Sequence, residues 1–183
     1  MKLFVSNDDL AVLEAQLAAL HGAAQLSARV ELAWHLRQRN PQRALALADE
    51  VDSAHAVPSA ADATQQRAMA RLQLVRAEVA WLHGQLDTAH TCLTSAQAGF
   101  SALDDWVGVG DSHWLRAYVV ADQGNTPEWI RQADQAVTAY ITAQDALRQQ
   151  MGVARLVAIY SFVDTARAHA LLDAQGLRDS SQF

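Results

Sequence analysis

The chain has few of the residues that cross-link or interrupt a fold. A single cysteine, Cys92, in 183 residues excludes an intramolecular disulfide and any cysteine-built metal cluster, so the cytoplasm is the expected compartment. Three prolines and eight glycines leave long stretches with nothing to break a helix. Lys2 is the single lysine, and the densest basic cluster, Arg29, Arg37, Arg39 and Arg43, is interrupted by Glu31 and followed by Asp49, Glu50 and Asp52. With a net charge of −6, that cluster makes no basic stripe, and direct contact with nucleic acid is not expected. No apolar run approaches the length of a membrane span, and the stretch Met1–Asp9 is too short in apolar residues for a signal peptide. It reads as a cytosolic N-terminus, with no membrane partner, and Gly176–Phe183 is polar, either a natural tail or the point at which a longer protein continues.

Alanine is abundant instead, at about a fifth of the residues. It is the best helix former and lets helices approach closely, so an all-α fold is predicted. Two loops share one punctuation: Trp81 to Ala89 around Gly84, and Ala121 to Glu128 around Gly124. In each, glycine supplies the left-handed position that ends a helix, and Asp, Thr or Pro opens the next. Asn40–Pro41 makes a third turn without the glycine. The spacing predicts eight helices and no sheet. The first runs from Asn7 to about Leu20 behind a Ser6/Asp9 capping box, the second from Leu26 to Gln38, and the third from Pro41 with Ala44, Leu47, Ala48 and Val51 buried. After a short linker, Ala56–Asp62, a long helix to His83 turns Leu72, Val75, Val79 and Leu82 inward. Its partner, Leu86 to about Leu103, uses Ala89, Leu93, Ala96 and Phe100. The remaining three are Asp104 to Gln123, Thr126 to about Gln149, and Val153 to Ala174. The whole is expected to be a single helical-repeat domain over residues 1–183: a capping helix in 1–24, divergent repeats in 25–150, and a C-terminal helix and tail in 151–183.

At these hairpins the chain resembles tetratricopeptide-type repeats. Ala77, Gly84, Ala89, Leu93 and Ala96 fall at that family's mutual spacings, whereas Ala33 with Asn40–Pro41, and Ala117 with Gly124, match in part. Ala33, Ala77 and Ala117 lie 44 and 40 residues apart against about 34 in the family, so these are elongated repeats. The run Val30 to Ala48 is similar to the helical N-terminal segments that precede a diguanylate cyclase (GGDEF) output domain in bacterial signalling proteins. The resemblance implies stacked antiparallel hairpins in a right-handed superhelix and a sensory or interaction role. It also implies a concave groove for a peptide or protein ligand, lined by Trp34, Arg37, Glu78, Trp81, Trp114 and Tyr118; the alternative is that the tryptophans fill the gaps that small residues leave in an alanine-rich core. The GGDEF signature itself does not occur in the chain.

Catalytic and metal chemistry find no complete constellation. Seven histidines make no His-x-x-x-His pair; Asp52/His55 and Asp87/His90 are common surface arrangements. Gly108 and Gly110 sit among Asp104, Asp105 and Asp111, whose charge would repel phosphate, so a frayed or kinked helix start is the expectation there. Cys92, beside the buried stripe of its helix, reads as a small core residue. No cofactor, metal or enzymatic activity is expected. The last predicted helix is apolar over most of its circumference, which points to a homodimer through Leu156, Ile159, Tyr160 and Val163, the alternative being that the preceding helix, Pro127 to Gln149, folds back and covers this surface within one chain. A small-molecule sensor and a purely structural dimerisation element are the alternatives to a peptide-binding module.

Overall fold

The computed structural model describes residues 3–54 and 62–174, and among these every regular element is a helix. In order they are α1 (Asn7–Leu17), α2 (Gly22–Leu36), α3 (Pro41–Ala54), α4 (Ala63–Leu82), α5 (Leu86–Ser101), α6 (Trp106–Asp122), α7 (Thr126–Thr142), α8 (Ala146–Val163) and α9 (Thr165–Ala174). The linker expected before α4, the tail after Ala174 and the histidine of the Asp52/His55 pair lie outside the described residues, apart from Asp62. Contacts divide the chain into two compact units, residues 1–108 and 109–183.

Four of the turns are the same turn. Residues 84, 104, 124 and 144, spaced by twenty, all adopt left-handed backbone: Gly84 at φ 71°, Asp104 at 50°, Gly124 at 73° and Gln144 at 55°. In each, the following N–H reaches five residues back: Gln85 to Ala80 O (2.9 Å), Asp105 to Phe100 O (3.0 Å), Asn125 to Val120 O (3.1 Å) and Asp145 to Tyr140 O (3.1 Å). The left-handed residue itself donates three back, so each helix closes with the paired bonds of a Schellman motif. The next helix opens on a side-chain cap at three of the four. Asp105 accepts from Gly108 N, Asn125 from Glu128 N and Asp145 from Arg148 N, at 3.0, 3.2 and 3.0 Å. Ser6 and Asp9 form the predicted capping box on α1.

In the first unit, α2 pairs with α3 and α4 with α5, while α1 lies on α2 and both α2 and α3 meet α4. The predicted stripes Ala44, Leu47, Ala48, Val51 and Ala89, Leu93, Ala96, Phe100 are fully buried. Leu82, expected inward, is instead 47% exposed, because α4 stops there and the chain turns away. In the second unit, α7 pairs with α8 and α8 with α9.

The region after residue 126 differs from the sequence reading. The expected helix from Thr126 to Gln149 ends at Thr142, because Gln144 and Asp145 form a turn and a cap without help from Gly or Pro. The expected helix from Val153 to Ala174 breaks at Asp164, whose carboxylate caps α9 through Arg167 N at 3.1 Å. The three resulting helices cover one another. Leu156, Ile159 and Tyr160 lie in a core with Ala133, Val137 and Ala168 of the same chain, so they are not the surface of a dimer helix; Val163 is 48% and Phe162 89% exposed.

The glycines near the start of α6 have a packing role. The helix is regular from Trp106 onward, not frayed. A Cβ on Gly108 would come 2.2 Å from the Phe100 ring, and one on Gly110 would come 2.4 Å from the Tyr140 ring. Each hydrogen side chain makes room for an aromatic ring, so neither loops around a phosphate.

Candidate functional site

The six residues of the expected groove fall into two clusters of different character. In the first unit, Trp34 on α2 is buried at 5% exposure. The Arg37 guanidinium lies 3.6 Å from its ring centre, and that of Arg71 lies 4.7 Å from it and 4.8 Å from the Phe100 ring. Arg37 Nε donates to Glu78 Oε2 at 2.5 Å, Gln38 donates to the other carboxylate oxygen, and Arg37 also donates to the Trp34 carbonyl. Glu78 is itself buried on α4. Trp34, Arg37 and Glu78 are thus engaged with one another, tying the end of α2 to α4. Trp81, one turn beyond Glu78, is half-buried.

In the second unit, Trp114 and Tyr118 stand one turn apart on α6, their rings edge to face at 5.9 Å. Two residues absent from the sequence-based set join them. Arg155 of α8 holds its guanidinium 4.9 Å from the Tyr118 ring centre and 5.7 Å from that of Trp129, at the start of α7. All four are half-buried. Trp129 packs from one side on the core that contains Ala117, Leu156 and Ile159, so the cluster stands on rigid ground. In the sequence Trp129 registers only as a large residue where the repeat pattern wants a small one. Arg155 cannot be brought to Tyr118 while α7 is drawn through to Gln149; recognising Gln144–Asp145 as a turn is the signal that would have found it.

On α6, His113 is buried and its Nδ1 lies 2.6 Å from Gln132 Oε1. Gln132 Nε2 donates to Glu128 Oε1 at 2.7 Å, which orients the amide so that His113 is the donor to it. Burial, helped by Arg116 and Arg131, pushes the His113 pKa down despite the Gln132 bond. Hydrogen bonds from Arg131 and then Gln132 hold the Glu128 carboxyl at about 2. Cys92 is half-buried, not fully buried as expected, and burial raises its thiol pKa despite Arg76, away from the thiolate a nucleophile needs. Among the described residues no three His, Cys, Asp or Glu side chains converge as a metal site would require, and no helix is long and apolar enough to cross a membrane.

These features define an all-α protein of helical hairpins bearing a half-buried aromatic–arginine cluster. Comparison with protein-family models, with curated proteins and with solved structures gives no match.

Proposed function

We propose that the chain is a non-catalytic helical-hairpin module that recognises a protein or peptide and regulates an attached or partner signalling output, a diguanylate cyclase by the resemblance of Val30–Ala48. The observation that carries the recognition half is the cluster of Trp114, Tyr118, Trp129 and Arg155. Trp, Tyr and Arg are the side chains that anchor protein interfaces, and these four are half-buried on helices, each leaving part of its surface open. The tetratricopeptide-like reading of the hairpins, with the cytoplasm as its setting, supports the same role. A homodimer through α8 loses its support, since Leu156, Ile159 and Tyr160 belong to the chain's own core.

A small-molecule sensor is the second reading, favoured by a cavity of about 350 Å³ in the first unit bordered by Leu26, Arg29, Asp62 and Gln65.

The test has two arms. A peptide array probed with the full chain should give binding that Trp114→Ala abolishes without lowering the melting temperature. Cyclic di-GMP output of a co-expressed diguanylate cyclase should change with the chain present and revert with the same variant. Turnover of a nucleotide or ester that a single substitution removes would overturn the reading.

A further inference from the structure

We propose that Arg155 is the anion-binding group of this cluster and that its ligand is an acidic peptide segment of a partner protein. In that complex an Asp or Glu carboxylate pairs with Arg155, and neighbouring apolar side chains lie against Trp114, Tyr118 and Trp129. This rests on the peptide-binding reading above and assigns the partner's chemistry.

The first ground is charge. Eight other arginines, from Arg29 to Arg167, hold a carboxylate at 3.8 Å or less. Among the described residues Arg155 has none; its contacts are the two aromatic rings. The chain carries 20 acidic against 14 basic residues, so the missing partner does not come from a shortage of acids. A carboxylate supplied from outside completes the pairing that eight of the other arginines find within the chain.

The second ground is geometry. Flanking rings attract a guanidinium through their π faces at these distances, restrict its rotamers, and leave its in-plane N–H groups free to donate. A planar donor fork held in place binds a carboxylate through two parallel hydrogen bonds, and less ordering is needed at the moment of binding. The same arrangement selects against cationic ligands. The space between Tyr118 and Trp129 already holds a positive charge, so a lysine or methylated lysine of a partner would meet repulsion there.

The experiment uses the full chain labelled with nitrogen-15 and two synthetic peptides. One alternates Glu and Asp with Leu and Phe; the other replaces every acid by its amide. The indole N–H signals of Trp114 and Trp129, assigned with Trp114→Phe and Trp129→Phe, are the readout. The acidic peptide should shift these signals saturably, and the amide peptide should bind about tenfold or more weakly, the loss expected for hydrogen bonds to a charged group. Arg155→Gln should cost a similar factor, and Arg155→Lys, which keeps the charge without the fork, a smaller one. If Arg155→Gln melts early, the comparison of the two peptides and the Arg155→Lys variant decide instead. Equal affinity for both peptides at the same indoles would overturn the carboxylate assignment while leaving peptide recognition standing. If neither peptide moves either indole, both readings fail.

Discussion

Asp111 and Arg148, 37 residues apart in the chain, meet at 3.0 Å with their side chains 6% and 7% exposed. The Tyr140 hydroxyl donates to the same Asp111 oxygen at 3.1 Å, and Arg148 Nη1 donates to Asp145 Oδ2 at 2.8 Å. Burial works against the Arg148 charge, but the two carboxylates outweigh it and hold its pKa above the ordinary value. Removing Asp111 leaves the buried Arg148 charge with one carboxylate, Asp145, in place of two. Asp111→Asn should therefore lower the unfolding free energy by about 1.5–3 kcal/mol, and an Asp111→Leu/Arg148→Met double variant by much less than the sum of its single changes. Urea unfolding of the wild type, Asp111→Asn, Asp111→Leu, Arg148→Met and the double variant checks this; additive losses would mean the two groups do not act as a pair.

Gln144 takes a left-handed conformation that glycine takes at residues 84 and 124, and its side chain is exposed. The left-handed region costs a residue with a Cβ about 1–2 kcal/mol, partly offset by the greater freedom glycine has when unfolded. Gln144→Gly should stabilise the protein by about 0.5–1 kcal/mol. Gly84→Ala, with nothing within 4 Å of the added Cβ, should destabilise it by about 1 kcal/mol through the backbone alone.

His113 gives the fold a pH dependence whose sign follows from its lowered pKa. The unfolded chain takes up the proton at about 6.5, whereas the folded chain resists it, so stability is fully present above about pH 6.5 and is lost as pH falls toward the folded value. Glu128 adds a second window of the same sign, from about 4.5 down to about 2. Melting curves from pH 7.5 to 5 should show a falling Tm in the wild type and a flatter profile in His113→Gln; parallel profiles would remove His113 as the cause.

Ile159 and Phe162 lie on one helix at 1% and 89% exposure. Ile159→Glu places a charge in the core of the second unit and should cost more than about 4 kcal/mol, whereas Phe162→Ser should stay within about 0.5 kcal/mol. Both proteins are compared by chemical denaturation. Sedimentation of wild type and Phe162→Ser should give the same mass; a lower mass for the variant would restore a self-association surface at the end of α8.

What the sequence revealed follows the strength of its local signals. The all-α class came from alanine content, and the stripes on α3 and α5 came from apolar residues at helical spacing, which survive because one face meets one neighbour. Gly84 and Gly124 announced their turns. Asp104 reads as the opening of a helix, and the break is there; Gln144 adopts the same backbone without announcing it, since it is a good helix former and only the fold obliges it to turn. That omission merged α7 with the start of α8, misassigned Leu156, Ile159 and Tyr160 to an outer surface, and hid Arg155 from Tyr118. Of the six groove residues, Trp114 and Tyr118 lie in the open aromatic cluster, while Trp34, Arg37 and Glu78 turned out to bind each other. Helical position alone does not distinguish an arginine facing solvent from one stacked on its own tryptophan.

The even spacing of the left-handed turns makes distance from a turn a coordinate for the helices from α4 to α8. Ala70 and Gly99, which nearly touch, lie fourteen and fifteen residues either side of Gly84; Phe100 and Gly108 each lie four from Asp104; Val137 and Gly152 lie seven and eight from Gln144. Side chains meet when they are equally far from the bend between them, as rungs match when a ladder is folded. Substitution is absorbed locally in such a design, but a change of length is not. One residue inserted in mid-helix turns everything beyond it by about 100° and slides it about 1.5 Å, mismatching the rungs on both flanking helices at once. The molecule should therefore accept variety at its bends and gain or lose length only in whole hairpins of about forty residues.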